Sequence, residues 1–298
     1  MAQIINGTEC AKQMREEMKQ EIIMLKEQHG VIPGLAVILV GDNPSSMSYV
    51  NMKEKTCAEL GILSRKHKFD ADYPETELLA LIDSLNRDPA IHGILVQVPL
   101  PDHINEEKIL YKIDPDKDVD GFHPVNVGRM MIGDPGFLPC TPFGIQQLML
   151  RSGVTIEKSH VVIVGRSNIV GKPMAMILIQ KQPGANATVT LCHTGTRDIA
   201  AYTRQADILI VAAGRPRTVT ADMIKEGVVV IDVGNNRIED KTKKSGYRFI
   251  GDVDFEGVSA KASAITPVPG GVGPMTITML MHNTIKSAKV HNNLECRD

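Results

Sequence analysis

No stretch of this chain approaches the roughly 18 consecutive apolar residues of a membrane span, and MAQIINGTECAKQMREEMKQ has neither a basic leader nor an apolar core behind it. The sequence therefore predicts no membrane partner and a cytoplasmic location. An excess of either charge is also missing: 33 Lys and Arg face 35 Asp and Glu, for a formal net charge of −2. That balance offers no polyanion-binding surface, so nucleic acid is not an expected partner. Cysteine pairs are lacking too, since Cys10, Cys57, Cys140, Cys192 and Cys296 are odd in number, scattered, and contain no C-x-x-C. Reduced thiols are expected rather than a disulfide frame or a zinc site. The histidines form neither H-x-x-x-H nor a His/Cys cluster, which argues against a catalytic metal. Repeats of about 20 to 50 residues and low-complexity tracts are absent.

What remains is a composition, 43% hydrophobic and 23% charged, that can bury a real core in one large or two medium domains. Ala11, Met14, Met18, Ile22 and Leu25 recur at helical spacing, with Thr8 as the expected cap and His29-Gly30 and Pro33 as the stop. LAVILVG (residues 35–41) then reads as a buried strand and GDNPSS as a turn. A helix is expected over 49–60, a polar strand over 65–69, a helix over 75–86, and a second buried strand in GILVQVPLP. Parallel strands need long crossovers, so this β-α-β-α-β rhythm predicts a parallel sheet with helices on its faces. Gly133–Gly136 interrupts it and a helix over 142–151 leads onward. From Val161 a second series begins, VVIVG, TVTLCH, ILIVAAG and VVVIDVG, with helical patterns before most of them. Two α/β domains with a cleft between them are expected: residues 1–140 with 275–298, whose amphipathic segment 275–286 folds back, and residues 141–274.

The stretch VVIVGRSNIVGKP runs from a buried strand through Gly165 into a helical pattern, the arrangement that presents backbone N–H groups and a helix dipole to a phosphate. Its spacing, Gly165-x-Ser167-x-x-x-Gly171, is not G-x-G-x-x-G, so alone it also fits a plain βα connection. The next strand ends Leu191-Cys192-His193-Thr194, without the carboxylate that binds a ribose 2′-hydroxyl. Arg166 and Thr194 offer a cation and a hydroxyl there instead, which favours NADP over NAD. The competing view makes Thr194 a cap and Arg166 a solvated cation.

In the first domain Tyr49 and Lys53 are four residues apart and share a helix face. Gln97 interrupts an apolar run near a strand end, where a buried amide needs a partner such as a lysine ammonium. The segment Asp114–Gly121 begins like a calcium loop, but Val127 stands where the bidentate Glu belongs and Pro124 interrupts it. It is either an acidic surface turn or a loop presenting Asp120. TPVPGGVGPMT (residues 266–276) is a stiff, tightly turned segment able to approach a planar ligand closely, and it leads into a helix.

Taken in order, SYVNMKEKTCAELGI, GILVQVPLP, DVDGFHP, VGRSNIVGKP and TPVPGGVGPMT closely resemble the bifunctional methylenetetrahydrofolate dehydrogenase/methenyltetrahydrofolate cyclohydrolase family over nearly the whole chain. The resemblance implies a folate-binding catalytic domain and a Rossmann-like NADP-binding domain. It also implies NADP-dependent oxidation of 5,10-methylenetetrahydrofolate, hydrolysis of the product to 10-formyltetrahydrofolate, and a homodimer. By motif, Lys53 corresponds to the catalytic lysine, Tyr49 to the aromatic that positions substrate, Gln97 to the group that tunes the lysine, and Asp120 to the carboxylate holding the pterin. Val96, Val98, Pro269, Gly270 and Gly271 are assigned to the substrate, and Gly165, Arg166, Ser167, Thr194 and Asn235 to the cofactor. Two positions depart from the family pattern: Thr194 replaces a more usual Ser, and Asn235, expected beside the nicotinamide, replaces an Ile. A shikimate dehydrogenase-like enzyme and a non-catalytic NADP sensor are the alternatives. PGGVGPMT opposes the first, and the joint presence of Tyr49, Lys53, Gln97 and Asp120 opposes the second.

Overall fold

The computed structural model describes residues 2–134, 136–243 and 246–294. From the N-terminus it runs β1 (Gln3–Ile4), α1 (Gly7–His29), β2 (Gly34–Val40), α2 (Pro44–Leu60), β3 (Leu63–Phe69), α3 (Glu75–Arg87) and β4 (Gly93–Val96). Two short helices, α4 (Glu106–Leu110) and α5 (Pro124–Ile132), precede α6 (Cys140–Arg151). Then come β5 (His160–Val164), α7 (Gly171–Leu178), β6 (Thr188–Cys192), α8 (Ile199–Thr203), β7 (Ile208–Val211) and β8 (Val229–Asp232). A hairpin of β9 (Asn236–Glu239) and β10 (Tyr247–Ile250) is followed by α9 (Phe255–Ser259), β11 (Ala264–Ile265) and α10 (Val272–His291). No helix among the described residues is long and apolar enough to cross a membrane.

The chain divides into two units. One, the Lys53 unit, comprises Gln13–Cys140 and the chain from Ile277; the other, the Gly165 unit, comprises Thr141–Thr276 and the residues up to Lys12. The Lys53 unit is built on a three-stranded parallel sheet in the order β3-β2-β4. As the middle strand, β2 is apolar along its whole length and every residue is buried, which is the pattern of a parallel strand covered on both faces. Leu78, Ile82 and Leu85 form one stripe of α3 and pack on Ile38, Ile94 and Val96, each such burial contributing roughly 1.5–3 kcal/mol. β3 is an edge, and its cations Arg65, Lys66 and Lys68 pair with Asp88, Glu54 and Asp42, charges that blunt an edge against further pairing.

The Gly165 unit carries a six-stranded, all-parallel sheet in the order β1-β11-β8-β7-β5-β6. β5 lies between β6 and β7, so the winding reverses there, and ligands in such sheets bind outside the carboxyl ends of the strands at this switch point. Its core joins Val162, Val164, Leu209, Val211 and Val230 to residues of the covering helices and loops.

Two expectations need correction. Thr8 does not cap α1: Asn6 Oδ1 accepts the Glu9 N–H at 3.1 Å, and the Thr8 hydroxyl instead donates to Gly270 O at 3.4 Å. Residues up to Lys12, placed by sequence in the first domain, lie in the Gly165 unit because β1 pairs with β11 and Ile5 is buried there. A two-residue strand is too short to show a period, which is why the helix pattern that follows it carried those residues into the wrong unit.

Candidate functional site

The spacing of four along α2 puts Tyr49, Lys53 and Cys57 on one face, directed by a helix that follows the central strand of its sheet. Lys53 is 8% exposed, and its Nζ donates to Gln97 Oε1 at 3.0 Å. Gln97 Nε2 donates to Val98 O at 2.9 Å, which turns the amide so that its oxygen faces the lysine. The Gln97 N–H still donates to Ile38 O, so the side chain is fixed by the last rung beyond β4. Val96 is the buried final residue of that strand, while Val98 and Tyr49 are half-buried.

Burial holds the Lys53 ammonium below the ordinary lysine range, opposed by the charge of Asp120 and then by the thiols of Cys140 and Cys57. The Asp120 carboxyl is pushed up by burial, opposed first by Lys53 and then by a hydrogen bond with Cys140. Burial also raises the Cys140 thiol well above its usual range and the Cys57 thiol to about 12, so both remain neutral. Cys140 Sγ accepts from Asn283 Nδ2 at 3.7 Å and lies 3.3 Å from Val119 O, so its one proton is shared between that carbonyl and the Asp120 carboxyl. The result is a buried amine with a penalised charged state, a neutral amide that orients it and a carboxylate that partly restores its proton. That set suits general acid–base work on a bound substrate.

The segment around Asp120 is not a surface turn. Lys117 and Asp118 are 4% exposed. Lys117 Nζ donates to Leu85 O at 3.0 Å and Asp88 O at 2.8 Å, satisfying carbonyls at the C-terminal end of α3. Asp118 accepts from the Phe122 and His123 N–H groups and from Asn126 Nδ2, and burial pushes its carboxyl up to about 7 against those bonds. Of this acidic run, Asp120 is thus the carboxylate whose charge acts on Lys53. Among the described residues no His, Cys, Asp or Glu cluster can hold a metal ion.

In the Gly165 unit the turn after β5 is packed so closely that side chains are excluded. A Cβ at Gly165, where φ is +133°, would overlap Ala212 O, and a Cβ at Gly171 would overlap Gly165 O. Ser167 Oγ accepts from the Val170 and Gly171 N–H groups at 3.1 and 3.5 Å, so it fills donors that the sequence reserves for a phosphate. Arg166 is exposed, with Nη1 3.5 Å from His193 Nε2, and the exposed Thr194 follows that histidine. Thr194 is not a cap: Asp198 caps α8 and Thr196 Oγ1 takes the His193 N–H. A guanidinium and a hydroxyl therefore stand at the ends of β5 and β6 beside a glycine turn, with no carboxylate between, and this donor set fits NADP.

Asn235 is exposed on the turn after β8. Pro269, Gly270 and Gly271 lie in the Gly165 unit, where Gly270 O accepts the Thr8 N–H at 3.0 Å and a Cβ at Gly7 would overlap Gly271 O. The structure thus groups Tyr49, Lys53, Val96, Gln97, Val98 and Asp120 in one unit and the remaining candidates in the other. Sequence missed Cys140, which bonds Asp120, and Asn283, which donates to Val119 O and Cys140, since long-range neighbours leave no local spacing. It also missed two buried carboxylates, Asp232, read only as part of a strand, and Asp252.

Two sequence-family models match the chain: "Tetrahydrofolate dehydrogenase/cyclohydrolase, catalytic domain" over residues 5–120 and "Tetrahydrofolate dehydrogenase/cyclohydrolase, NAD(P)-binding domain" over residues 139–292. The chain is 61% identical over 291 residues to the bifunctional protein FolD of Syntrophus aciditrophicus, covering 98% of this chain and 99% of that one. Its structure is similar to that of the Campylobacter jejuni bifunctional FolD methylenetetrahydrofolate dehydrogenase/cyclohydrolase, with a TM-score of 0.91, 51% identity and coverage of 97% and 99%. It is also similar to the Trypanosoma brucei dehydrogenase-cyclohydrolase complexed with NADP cofactor and inhibitor, with a TM-score of 0.92, 40% identity and coverage of 97% and 98%.

Proposed function

Because the chain belongs to the tetrahydrofolate dehydrogenase/cyclohydrolase family, we propose that it oxidises 5,10-methylenetetrahydrofolate with NADP and hydrolyses the 5,10-methenyl product to 10-formyltetrahydrofolate. The observation that carries the chemistry is the buried Lys53 held 3.0 Å from Gln97 and within the field of the Asp120 carboxylate. NADP supplies the hydride acceptor when bound, and the protein's task in that step is alignment. Hydrolysis asks more of the side chains. Water adds to the bridging carbon of the methenyl cation and loses a proton, which the neutral Lys53 Nζ accepts. The adduct then collapses to the formyl carbonyl with cleavage of one carbon–nitrogen bond: the same proton returns to the departing ring nitrogen, and the hydroxyl proton leaves to solvent as the one proton the hydrolysis releases. Gln97 keeps Nζ aimed, Asp120 holds the pterin and the lysine's field, and Tyr49 positions the ring, with Val96, Val98, Pro269, Gly270 and Gly271 as further folate contacts.

On the cofactor side Gly165 gives the backbone close access to the phosphates, Ser167 shapes that turn, and Arg166 with Thr194 takes the 2′-phosphate. Asn235 flanks the nicotinamide end. The family likeness also supports residues 1–140 with 275–298 as the folate domain, shortened by the N-terminal residues that join the other unit, and a homodimer acting in the cytoplasm. Its role there is one-carbon supply for purine, methionine and histidine biosynthesis. The test is a spectrophotometric assay with methylenetetrahydrofolate and NADP or NAD, followed by decay of added methenyltetrahydrofolate. NADP-dependent formation and enzyme-dependent decay of the methenyl form are expected, and failure of either rejects that half of the reading. Sedimentation at assay concentration checks the dimer.

A further inference from the structure

Two aspartates, Asp232 at the end of β8 and Asp252 just after β10, are 2% and 0% exposed. Asp252 Oδ2 accepts from the Ala213 and Gly214 N–H groups at 2.6 and 2.8 Å, and its Oδ1 accepts from Asn236 Nδ2 at 2.7 Å. Asp232 Oδ1 accepts from the Gly234 and Asp252 N–H groups, both at 2.9 Å, and its Oδ2 accepts from the Val253 N–H at 3.0 Å. Thr266 Oγ1 takes the Asp232 N–H at 2.8 Å. Gly234 and Gly251 leave the room this requires: a Cβ at either position would overlap an aspartate side chain of the pair. One network therefore ties the turns that follow β7, β8, β10 and β11.

A buried carboxylate is costly unless its lone pairs are used, and a fully satisfied network fixes geometry in return. The geometry fixed here is that of the turn after β7. This turn meets the glycine turn after β5, because a Cβ on Gly165 would overlap Ala212 O, so it lies at the switch point of the sheet. Backbone N–H groups at such a turn ordinarily cradle a phosphate. At Ala213 and Gly214 they are drawn inward to Asp252, with a negative charge behind them.

We propose that Asp252, supported by Asp232 and Asn236, is a positioning residue for the pyridine nucleotide. It shapes the turn after β7 to receive the nicotinamide-ribose end and closes that turn to phosphate, which leaves the phosphates to the Gly165–Arg166 side. This rests on the NADP reading above.

Asp252→Ala leaves the Ala213 and Gly214 N–H groups without an acceptor. The NADPH dissociation constant, read by cofactor fluorescence, and the KM for NADP are expected to rise about tenfold or more, a loss of about 1.4 kcal/mol in binding as the turn relaxes. Hydrolysis of methenyltetrahydrofolate, which uses no nucleotide, then reports that the variant is folded. Asn236→Asp sets two carboxylates against each other and weakens binding likewise. Combining it with Asp252→Asn exchanges donor and acceptor and is expected to restore affinity. Should Asp252→Ala fail to fold, Asn236→Asp and its rescue decide the matter. Unchanged nucleotide affinity in a folded variant, or a lowered melting temperature with affinity intact, overturns the proposal. Absence of NADP binding in the unaltered protein overturns the cofactor reading instead.

Discussion

At the scale of single residues, the Lys53 environment yields two outcomes that separate its roles. Lys53→Met keeps the volume and removes the amine. Methenyl hydrolysis is expected to fall by roughly 10²–10⁴-fold, the usual share of a general acid–base group, while some dehydrogenase activity persists because hydride transfer needs alignment more than proton transfer. A variant that hydrolyses methenyltetrahydrofolate at the normal rate would remove Lys53 from the mechanism. The second outcome is a pH shift. Burial lowers the Lys53 pKa and Asp120 raises it, so the neutral amine accumulates as pH climbs through a value below that of an ordinary lysine. In Asp120→Asn the raising influence is gone, and the ascending limb of residual hydrolysis is expected to move to lower pH. A limb that stays in place or moves upward in a kcat–pH profile contradicts the coupling.

At the scale of elements, Lys117 joins the loop before α5 to the end of α3. Its ammonium holds the Leu85 and Asp88 carbonyls, where the helix dipole favours a cation and water is excluded. Lys117→Met is expected to cost roughly 2 kcal/mol, lowering Tm by about 3 °C in calorimetry for a chain that unfolds as one unit. Lys112→Met, which breaks only the exposed pair with Asp83, is expected to cost under about 0.5 kcal/mol. Equal shifts for the two would show that Lys117 is no more than another surface charge. The same contrast explains what could be read in advance. β2 and β5 were legible because parallel strands buried on both faces are apolar throughout, and Gln97 was legible because it breaks such a run. Lys117 and Asp118, set among acidic residues, have the composition of a solvated turn. Their burial depends on α3 and α5, which nothing local encodes. The same holds for Asp252, whose partners come from residues 213, 214 and 236.

At the scale of the whole molecule, the decisive feature is the path of the chain. The boundary between the units falls after Lys12, inside α1, and after Thr276, inside α10. Each of these helices gives its first turns to the Gly165 unit and the rest to the Lys53 unit. A helix is cooperative along its length, so melting one unit frays the hydrogen bonds on which the other unit's segment is built. The two cores are therefore expected to unfold together, although a nucleotide touches the Gly165 unit. NADP at about 100 times its dissociation constant contributes about 2.7 kcal/mol of stabilisation. Native-state hydrogen exchange locates where that energy appears. Slowly exchanging amides of β2 and β4 are expected to gain protection along with those of β5, β7 and β8, by a similar amount, when NADP is added. Protection gained by β5–β8 alone would mean that α1 and α10 part at the boundary and that the units open independently.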